Sequence, residues 1–596
     1  MMADARHFAL LDADDGAVWL LTDFRRSIGA PDPDAVFAAV EAATNRGEWA
    51  VLAADYELGA CFDRAMVRPG GANARLRGWV FGRAERLDAD ALERFLVDRL
   101  AELPAHDRVC GVADLVHAFD AASHAEKVEQ IRRWISEGDC YQVNLTFPVD
   151  FTTYGHPLAL YARLRARQPV RYGAFVLTPE ATILSFSPEL FFERHGCRVV
   201  TRPMKGTAPR GATAEEDARN RAALLASSKE RAENVMIVDL LRNDLGRLAA
   251  PGGVNVEALC AVEAYPTLWQ MVSTISADLP NASLRDIFQA LFPCGSITGA
   301  PKIKAMARIA ELECGPRGLY TGALGWVAPG GDCRFNVAIR TLEIDAKRQA
   351  RLGIGSGIVI DADPAREYAE CLLKASFVTG FDPGFELIET TRLVEGAYPL
   401  MALHLQRIES SACALGFVCN VSAISELLAA VARECRDGAY RVRLTLAHDG
   451  RLSVQHAKMP ADEQQWQIVV ADEALDGDDY LLRHKTTARS RYDGVLASLA
   501  ATPEVFDAVF CNTRGEVCEG ARSNVYVERD GMLLTPPVSS GLLPGVMRRH
   551  LLESGRAVER VLNREDLRTA PAIYLSNALR GLFPATLRSS SANPLR

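Results

Sequence analysis

The sequence predicts a mixed α/β (α+β) fold made of two successive domains, and three observations support this. The chain has 596 residues, which is more than a single hydrophobic core normally organises. Segments with apolar residues at helical spacing alternate with short β-branched and aromatic runs that are typical of strands. The pattern breaks at GFDPGF, so we place a boundary there, between a front domain (1–380) and a rear domain (385–590).

The composition restricts the function classes. Hydrophobic residues make up 48% and charged residues 24% of the chain, as in a soluble globular protein. The net charge of −9 argues against a nucleic-acid partner. No run reaches the ~18 apolar residues of a membrane helix, and the acidic N-terminus does not look like a signal peptide. The fourteen cysteines form no CxxC pair. We therefore expect a cytoplasmic protein with reduced thiols.

The front domain is organised around the stretch LSFSPELFFERHGCRVVTRPMKGTAPR. Its apolar runs and the His195-Gly196 turn predict a β-hairpin followed by a sharp glycine-containing loop. Glu189 enters one arm, opposite about position 202, and Lys205 lies just past the end of the return strand. An acid and an amine at one edge can share a chemical step.

Two front-domain helices have polar residues near their starts. Ser123 and Glu126 fit a capping box, which predicts a helix that begins at Ser123. In KERAENVMIVDLLRNDLG, Glu233 lies one turn before Ile237 on an apolar helix. Residue type alone leaves Glu233 open as a solvated glutamate or a functional carboxylate.

Two glycine-rich segments follow. PCGSITGAPKIKAM is a loop that opens a helix, with Pro301 suited to the first turn and a helix N-terminus able to meet an anion. LGIGSGIVIDADPAREYAECLLKA predicts a strand, a turn and a helix. Glu367, Glu370 and Lys374 share one face of that helix. They can hold a hard metal and an anion, or form a surface salt-bridge ladder.

The rear domain begins with a strand at Phe385. HLQRIESSACALGF predicts a helix, YRVRLTLAHD and WQIVVAD predict strands, and Lys485 is expected as an exposed residue before another helix. A meander of short strands follows. GLLPGVMRRHLLESG is a Gly-Pro turn that feeds a helix N-terminus, which suits a phosphate. The serine-rich tail after Arg588 is expected to be disordered.

The order of these motifs is more specific than any one of them. GDCYQVNLT, SFSPELFF, RPMKGTAPRG, KERAENVMIVDLLRNDLGR, GSITGAPKIKAM, FNVAIRT and the segment from Gly353 to Ala375 resemble the chorismate-utilising enzymes. That family includes anthranilate, aminodeoxychorismate, isochorismate and salicylate synthases. The resemblance covers residues 120–378 and implies a fold of large antiparallel sheets with flanking helices.

Lysine in PMKGT is informative within that family, because anthranilate synthases usually have alanine there and aminodeoxychorismate synthases have lysine. The resemblance implies that Lys205 attacks ring carbon 2 of chorismate and displaces the carbon-4 hydroxyl. Ammonia then enters at carbon 4 and expels the lysine. Glu189 would protonate the departing hydroxyl and later act as a base. A dry pocket would lower the pKa of the lysine and raise that of the glutamate, as both roles require.

The resemblance also implies a magnesium site and substrate contacts. Magnesium prefers oxygen ligands, and the matching positions are Glu233, Glu370 and, less closely, Glu367. The matching chorismate-binding positions are Lys374, Arg340, Thr298 and Gly355. One position departs from the family: Gln270 stands in YPTLWQMVS where many relatives have histidine, so a proton transfer assigned to that histidine elsewhere does not carry over.

No segment resembles a glutaminase with its Gly-x-Cys-x-Gly nucleophile. Cys294 is followed by Gly-Ser and is interpreted as a loop packing residue. Ammonia would therefore come from solution or from a separate glutamine amidotransferase subunit.

Residues 385–586 resemble the fold-type IV pyridoxal-phosphate enzymes, which include aminodeoxychorismate lyase and the branched-chain and D-amino-acid aminotransferases. Lys485 matches the lysine that binds pyridoxal 5′-phosphate covalently. Glu519 matches the carboxylate that pairs with the pyridine nitrogen, which makes the ring an electron sink. The other matching cofactor positions are Arg407 and the backbone of Val546 and Met547 at the phosphate, Tyr492, Asn524, and the pocket-closing loop Ser576–Arg580.

The rear domain starts abruptly at FELIETTR, so it lacks about one strand of those relatives. The resemblance also raises the expectation of a homodimer through this domain. Members of the fold are hard to separate by motif, so the neighbouring front domain decides our hypothesis: a synthase followed by a lyase that releases 4-aminobenzoate and pyruvate. Two alternatives remain. One is an anthranilate-type synthase fused to an amino-acid aminotransferase, and the other is an inactive scaffold that recruits a glutaminase.

Overall fold

The structure is a computed structural model that describes residues 6–63, 65–66, 75–265, 268–459 and 466–588. The tail after Arg588, which we predicted to be disordered, lies outside these residues. The chain forms two compact units. The first runs up to Ala101 and includes Leu115–Thr153 and Leu160–Thr379. The second contains Glu102–Asp114, Tyr154–Ala159 and the chain from Gly380 onward. No helix among the described residues is long and apolar enough to cross a membrane.

Helices and strands alternate along the chain, as expected for the predicted class. The α-helices are α1 Pro33–Asn45, α2 Gly59–Phe62, α3 Ala89–Ala101, α4 Ala121–Ser136, α5 Pro157–Arg167, α6 Ala214–Ala226, α7 Ser228–Gly246, α8 Leu284–Leu291, α9 Lys302–Leu312, α10 Pro364–Thr379, α11 Met401–Leu415, α12 Val421–Glu434, α13 Ser490–Ser498, α14 Val546–Glu553 and α15 Arg564–Thr569.

Within the described residues, eighteen strands belong to one large sheet. They are β1 Phe8–Asp12, β2 Val18–Gly29, β3 Trp49–Ala54, β4 Leu76–Leu87, β5 Gly111–His117, β6 Gln142–Tyr154, β7 Tyr172–Leu177, β8 Thr182–Ser187, β9 Leu190–His195, β10 Arg198–Arg202, β11 Met204–Pro209, β12 Val254–Ala264, β13 Leu268–Asp278, β14 Gly299–Ala300, β15 Ala323–Val327, β16 Cys333–Val337, β17 Thr341–Ile344 and β18 Gln349–Ile358.

The remaining strands form two smaller sheets of three and eight strands. They are β19 Leu387–Val394, β20 Ala439–Leu446, β21 Leu452–Lys458, β22 Trp466–Leu475, β23 Val505–Asn512, β24 Val517–Gly520, β25 Asn524–Arg529, β26 Met532–Thr535, β27 Ala557–Glu559, β28 Ala572–Asn577 and β29 Gly581–Leu587.

The predicted hairpin is present as the antiparallel pair β9 and β10. Its register pairs Arg202 with Leu190, so Glu189 lies one residue from its predicted place opposite position 202. The turn lies at Gly196-Cys197 and not at the predicted His195-Gly196, because His195 pairs with Arg198, and a bulge between Val200 and Arg202 compensates for part of the resulting shift. The predicted loop after the hairpin is wrong, because Lys205 lies in strand β11, which pairs with β13.

The start of helix α4 also differs from the sequence prediction. Asp120, not Ser123, is the N-cap residue, and its side chain accepts a hydrogen bond from the Ser123 amide. Ser123 is the third helical residue and completes the capping box. Both residue types cap helices well, so the local pattern left this choice open.

The glycine-rich strand β18 lies at the centre of the site-bearing region. It pairs along its whole length with β6 and at its start with β17. β6 also pairs with the two-residue strand β14, which lies at the end of the loop before α9. α10 follows β18, as predicted. Side chains from β6, β14 and β18 therefore meet at one end of these strands.

The rear elements follow their predicted order. β19, β20 and β21 form an antiparallel sheet in which β20 is central. In the eight-stranded sheet, three strand pairs are parallel, namely β22–β23, β22–β29 and β26–β27. The other pairs are antiparallel. The segment after β22 leads through Lys485 to α13.

Candidate functional sites

Glu189 directly precedes β9 and is only 6% exposed. Ser296 Oγ donates a 2.7 Å hydrogen bond to its Oε1. Burial raises the pKa of Glu189 to about 6, although the Ser296 hydrogen bond and the charge of Lys205 act in the opposite direction. A carboxyl with such a pKa can be protonated near neutral pH, which a general acid requires.

Lys205 is half-buried in β11 and lies close enough to Glu189 for its charge to act on that carboxyl. A methyl group placed on Gly357 would lie 3.5 Å from Lys205 Nζ and 2.1 Å from Gln142 Nε2. The two nitrogens therefore flank one point above the glycine-rich strand. Only glycine leaves room there, so Gly357 allows the Gln142 amide to lie beside the lysine.

Two features restrict the backbone next to Lys205. Gly206 has a φ of +87°, and a side chain at this position would meet Glu230 at 2.9 Å. Gln270 on β13 donates a 2.9 Å hydrogen bond from Nε2 to the Gly206 carbonyl oxygen. In this chain the residue at the family's histidine position therefore holds the strand that carries the lysine.

The side chain of Arg317 stabilises the loop that carries Ser296 and Thr298. Arg317 donates to the carbonyl oxygens of Ile297 at 3.0 Å and Asn144 at 2.8 Å. Thr298 is fully buried and donates to the Gly295 carbonyl at 3.1 Å. The loop therefore has little freedom, which suits a surface that positions a substrate.

Lys374 and Gly355, both predicted to bind substrate, contact each other. Lys374 Nζ donates a 2.9 Å hydrogen bond to the Gly355 carbonyl and forms a 2.8 Å ion pair with Glu370. Arg340, the other predicted cation, has a φ of +50°, and burial lowers its pKa. No partner for its guanidinium is found among the described residues.

Carboxylates from α7 and α10 influence one another electrostatically. Burial raises the pKa of Glu230, and the charges of Glu233 and Glu370 raise it further. Burial and Glu370 likewise raise the pKa of Glu367. Clustered carboxylates are the donors that magnesium prefers. Among the described residues, however, no three acidic, histidine or cysteine side chains are arranged as a closed metal-binding group.

The predicted rear-site residues line one cavity with a volume of about 680 Å³. Its walls include every cofactor position that the sequence suggested, namely Arg407, Lys485, Tyr492, Glu519, Asn524, Val546, Met547 and Ser576–Arg580. The cavity therefore contains an amine, a guanidinium, a carboxylate and the N-terminus of α14. This set has the chemistry needed to hold a phosphorylated pyridine aldehyde.

The prediction that Lys485 is exposed is wrong, because the residue lies inside the cavity. Burial lowers the pKa of Lys485 to about 8, and the nearby charges of Arg407 and Arg489 contribute. The lower pKa leaves more of the amine unprotonated near neutral pH, as a covalent or basic role requires.

Glu519 also lines the cavity and is 6% exposed. It accepts hydrogen bonds from the Tyr492 hydroxyl at 2.7 Å and the Leu543 amide at 3.1 Å. Asn524 donates to the Leu543 carbonyl at 2.9 Å. Burial raises the pKa of Glu519 to about 7 despite these hydrogen bonds. A cationic ring nitrogen placed beside it would favour the charged carboxylate.

Arg407 is held by a glutamate that the sequence analysis did not single out. Glu389 accepts hydrogen bonds from Arg407 Nε at 2.8 Å and Nη2 at 2.6 Å, and its Oε2 lies 2.6 Å from His404 Nδ1. Burial alone would raise the pKa of Glu389, but the charge of Arg407 and the hydrogen bond from His404 lower it to about 2. Glu389 therefore fixes the guanidinium at the cavity wall.

Comparisons with known proteins agree with this division of the chain. The family model of chorismate binding enzymes matches residues 35–380, more than half of the chain. The chain belongs to the chorismate binding enzymes. A second family model, amino-transferase class IV, matches residues 386–587. The predicted resemblances and the predicted fold class are thereby confirmed. A class IV domain implies pyridoxal phosphate.

Three relatives illustrate the extent of the match. Aminodeoxychorismate synthase component 1 of Bacillus subtilis is 42% identical over 258 residues, which are 43% of this chain and 55% of that protein. Aminodeoxychorismate synthase of Streptomyces griseus is 37% identical over 354 residues, which are 58% of this chain and 46% of the relative. The chain thus spans about half the length of these curated relatives. The crystal structure of anthranilate synthase component I from Streptococcus pneumoniae aligns with a TM-score of 0.50 and 25% identity, over 63% of this chain and 93% of that one.

For this chorismate binding enzyme, the sequence analysis missed three side chains that contact predicted site residues. They are Gln142 beside Lys205, Ser296 on Glu189 and Glu389 on Arg407. Gln142 is 2% exposed, and its Oε1 has no hydrogen-bond partner among the described residues. Gln142 and Ser296 lie inside motifs that we quoted, but both motifs contain other polar residues, so residue type alone did not mark either side chain as buried.

Proposed function

We propose that the chain makes 4-aminobenzoate from chorismate in two steps. Residues 1–380 would act as the synthase domain and residues 385–590 as the lyase domain. The observation that carries the first step is the pair of Lys205 and Glu189, an amine and a protonatable carboxyl that lie close enough for the charge of the amine to act on the carboxyl. The class IV rear domain supports the second step, because it holds a lysine, an acid and an arginine around one cavity.

In the first step, Lys205 attacks carbon 2 of chorismate as the carbon-4 hydroxyl leaves. Glu189 gives its proton to that hydroxyl, so the group departs as water. Ammonia then adds at carbon 4, the bond to Lys205 breaks, and Glu189 accepts a proton from the incoming nitrogen. Lys374, Arg340, Thr298 and Gly355 would bind the two carboxylates and the ring.

Magnesium would be held by Glu233 and Glu370, with Glu367 as a third ligand. When bound, it would neutralise the ring carboxylate of chorismate. The mutual effect of the carboxylates on α7 and α10 supports this assignment, because a cation between them would relieve their repulsion. Isothermal titration with magnesium alone tests it. A Glu233→Gln, Glu370→Gln double variant should lose the binding heat, whereas Glu137→Gln, at the exposed C-cap of α4, should keep it.

In the second step, pyridoxal phosphate would supply the electron sink. Arg407 and the α14 N-terminus at Val546 and Met547 would hold its phosphate, Glu519 its ring nitrogen, and Tyr492 and Asn524 would position Glu519 and the adjacent loop. Lys485 would first bind the cofactor and then remove the proton from ring carbon 4. Loss of that proton expels enolpyruvate and leaves the aromatic product.

The deciding experiment is a product analysis. Purified protein is incubated with chorismate, ammonium, magnesium and pyridoxal phosphate, and the products are identified by mass spectrometry. We expect 4-aminobenzoate and pyruvate. Anthranilate would instead support the anthranilate-type alternative, and no turnover would support the scaffold. In addition, the cofactor-loaded protein should have a visible absorbance band that the Lys485→Ala variant lacks.

We further propose that a separate glutamine amidotransferase delivers ammonia to the front domain, and that the rear domain forms a homodimer. Adding a purified amidotransferase subunit should allow glutamine to replace ammonium. Light scattering of the full chain measures the oligomer, and a monomer at micromolar concentration would contradict the dimer.

A further inference from the structure

The second compact unit contains two short segments that come far earlier in the sequence than the rest of it. Residues 102–114 and 154–159 lie outside the range that the class IV model matches. Ala113 and Tyr154 are nonetheless buried in one hydrophobic cluster with Phe385 and Leu387, and Val109 packs against that cluster. These segments are therefore part of the core beneath strand β19.

The same segments contact the turn that leads to Lys485. The Tyr480 hydroxyl donates a 2.8 Å hydrogen bond to Asp114 Oδ2. Tyr154 stacks on the Tyr480 ring at a centroid distance of 6.2 Å. The Tyr480 ring also lies near the His484 ring, with a centroid distance of 5.1 Å. His484 directly precedes Lys485. Asp114 has a φ of +54°, so its backbone is held in a region that costs free energy.

Segment 102–114 also contributes to the cavity wall. His106 and Val109 line the cavity together with Lys485, Glu519 and Arg407. The His106 side chain is 32% exposed, its Nε2 lies 3.6 Å from Asp107 Oδ1, and its charge acts on Asp479, another lining residue. An imidazole N–H that faces a cavity can donate a hydrogen bond to a bound carboxylate.

We propose that residues 102–114 complete the rear catalytic site. In this arrangement, His106 is a selectivity residue that binds a carboxylate of the substrate, and Asp114 is a positioning residue that acts through Tyr480 on the segment bearing Lys485. The substrate class is a cyclic dicarboxylate, and the inference rests on the proposed lyase function. The rear active site is then not contained in residues 386–587, although that range carries all the cofactor positions.

The first test uses hydrogen exchange on the full chain, with and without pyridoxal phosphate and 4-aminobenzoate. Exchange should slow in 102–114 as well as in 480–489 when both are added. Protection of 480–489 with unchanged exchange in 102–114 would overturn the inference. A chain that shows no cofactor absorbance band would instead refute the proposed lyase function, and the inference with it.

The second test separates recognition from folding. His106→Ala should raise KM for aminodeoxychorismate at least about tenfold, because a hydrogen bond to a charged group contributes this much. Its cofactor absorbance and melting temperature should remain unchanged. His195→Ala is the matched control, since His195 pairs with Asp332 at a similar 3.5 Å but lies at the end of β9. An unchanged KM for His106→Ala, or an equal rise for His195→Ala, would overturn the role of His106.

The third test concerns positioning. Tyr480→Phe keeps both ring contacts and loses the hydrogen bond to Asp114, so it should weaken pyridoxal phosphate binding several-fold in a fluorescence titration. Tyr398→Phe, which loses a 2.9 Å hydrogen bond to the Leu428 carbonyl in the same unit, should leave the affinity unchanged. Equal affinities for wild type and Tyr480→Phe would contradict the positioning role of Asp114.

Discussion

Ser296 Oγ donates a 2.7 Å hydrogen bond to Glu189 Oε1. A residue of the loop before α9 therefore influences the pKa of the carboxyl that precedes β9. This hydrogen bond favours the ionised carboxylate and lowers its pKa, whereas burial raises the pKa to about 6. The general acid of the proposed first step is therefore adjusted by a residue from another element.

The pH dependence of the first step should reflect this balance. If Glu189 must carry a proton, kcat/KM for chorismate falls as the pH rises above about 6. Ser296→Ala removes a contact that favours the charged form, so the pKa rises and the falling limb moves to higher pH. Ser136→Ala, at an exposed serine of α4, is the control. A limb that stays in place or moves to lower pH in Ser296→Ala would contradict this role of Ser296.

Replacing Glu189 itself should have a larger effect. Glu189→Gln keeps the size and a hydrogen-bond acceptor for Ser296 but cannot transfer a proton, so kcat should drop by roughly 10²–10⁴-fold. Chorismate consumption measured by its ultraviolet absorbance gives this value. Glu180→Gln, in the turn before β8, should retain the wild-type rate. A Glu189→Gln variant with more than a tenth of that rate would exclude general-acid catalysis by this residue.

Lys205→Ala should abolish the aminated intermediate or divert the reaction towards anthranilate, because the variant lacks the amine that attacks carbon 2 in the proposed first step. Mass spectrometry of intact protein trapped during turnover should detect a covalent adduct on the wild type and none on Lys205→Ala. Lys347→Ala, at an exposed turn lysine, serves as the comparison. Unchanged 4-aminobenzoate output from Lys205→Ala would refute the nucleophilic role of the lysine.

In the rear unit, Glu389→Gln should weaken cofactor binding. Glu389 is 4% exposed and holds Arg407 through two hydrogen bonds, so loss of its charge leaves a buried guanidinium poorly paired. Breaking a buried ion pair typically costs roughly 3–5 kcal/mol of unfolding free energy. A pyridoxal phosphate titration and a denaturant melt measure both effects. Glu434→Gln, at an exposed glutamate, should change neither quantity, and a wild-type Kd for Glu389→Gln would show that Arg407 needs no such support.

His124 predicts an acid sensitivity of the front unit. It is fully buried between aromatic rings, and neither ring nitrogen has a hydrogen-bond partner in the part of the chain that the structure describes. Burial lowers its pKa, so the unfolded chain binds the proton more tightly and stability falls as the pH drops below about 6.5. His124→Phe should lose less stability than the wild type between pH 7 and pH 5 in thermal melts. Equal losses would show that other groups cause the acid sensitivity.

Sequence patterns identified the β9–β10 hairpin because alternating apolar residues flank a short polar turn. The same reasoning missed β11, since Gly206 and Pro209 oppose strand formation locally and the strand exists through its pairing with β13. The register error at Arg202 arose because the turn lies at Gly196-Cys197, one residue later than predicted, and a bulge before Arg202 compensates for only part of it. Local propensity thus predicted the elements, and long-range pairing determined their edges.

The site residues show the same limit. Motifs supplied the positions that touch the proposed ligands, because those residues recur at fixed places in short segments. The side chains that hold these residues in place belong to other elements of the fold. Ser296 is hydrogen-bonded to Glu189, and Glu389 is hydrogen-bonded to Arg407. Similarly, Lys485 looked exposed because its flanking residues are polar, yet the cavity walls that bury it come from other parts of the chain.

The contact between Lys374 and the Gly355 carbonyl has a consequence for ligand affinity. A lysine side chain loses up to about 2 kcal/mol of rotamer entropy when it is ordered. Here the carbonyl of a strand buried in the large sheet orders the ammonium before any ligand arrives. An incoming carboxylate therefore needs only to displace Glu370 from an already oriented cation, and most of the ordering cost is borne during folding instead of during association.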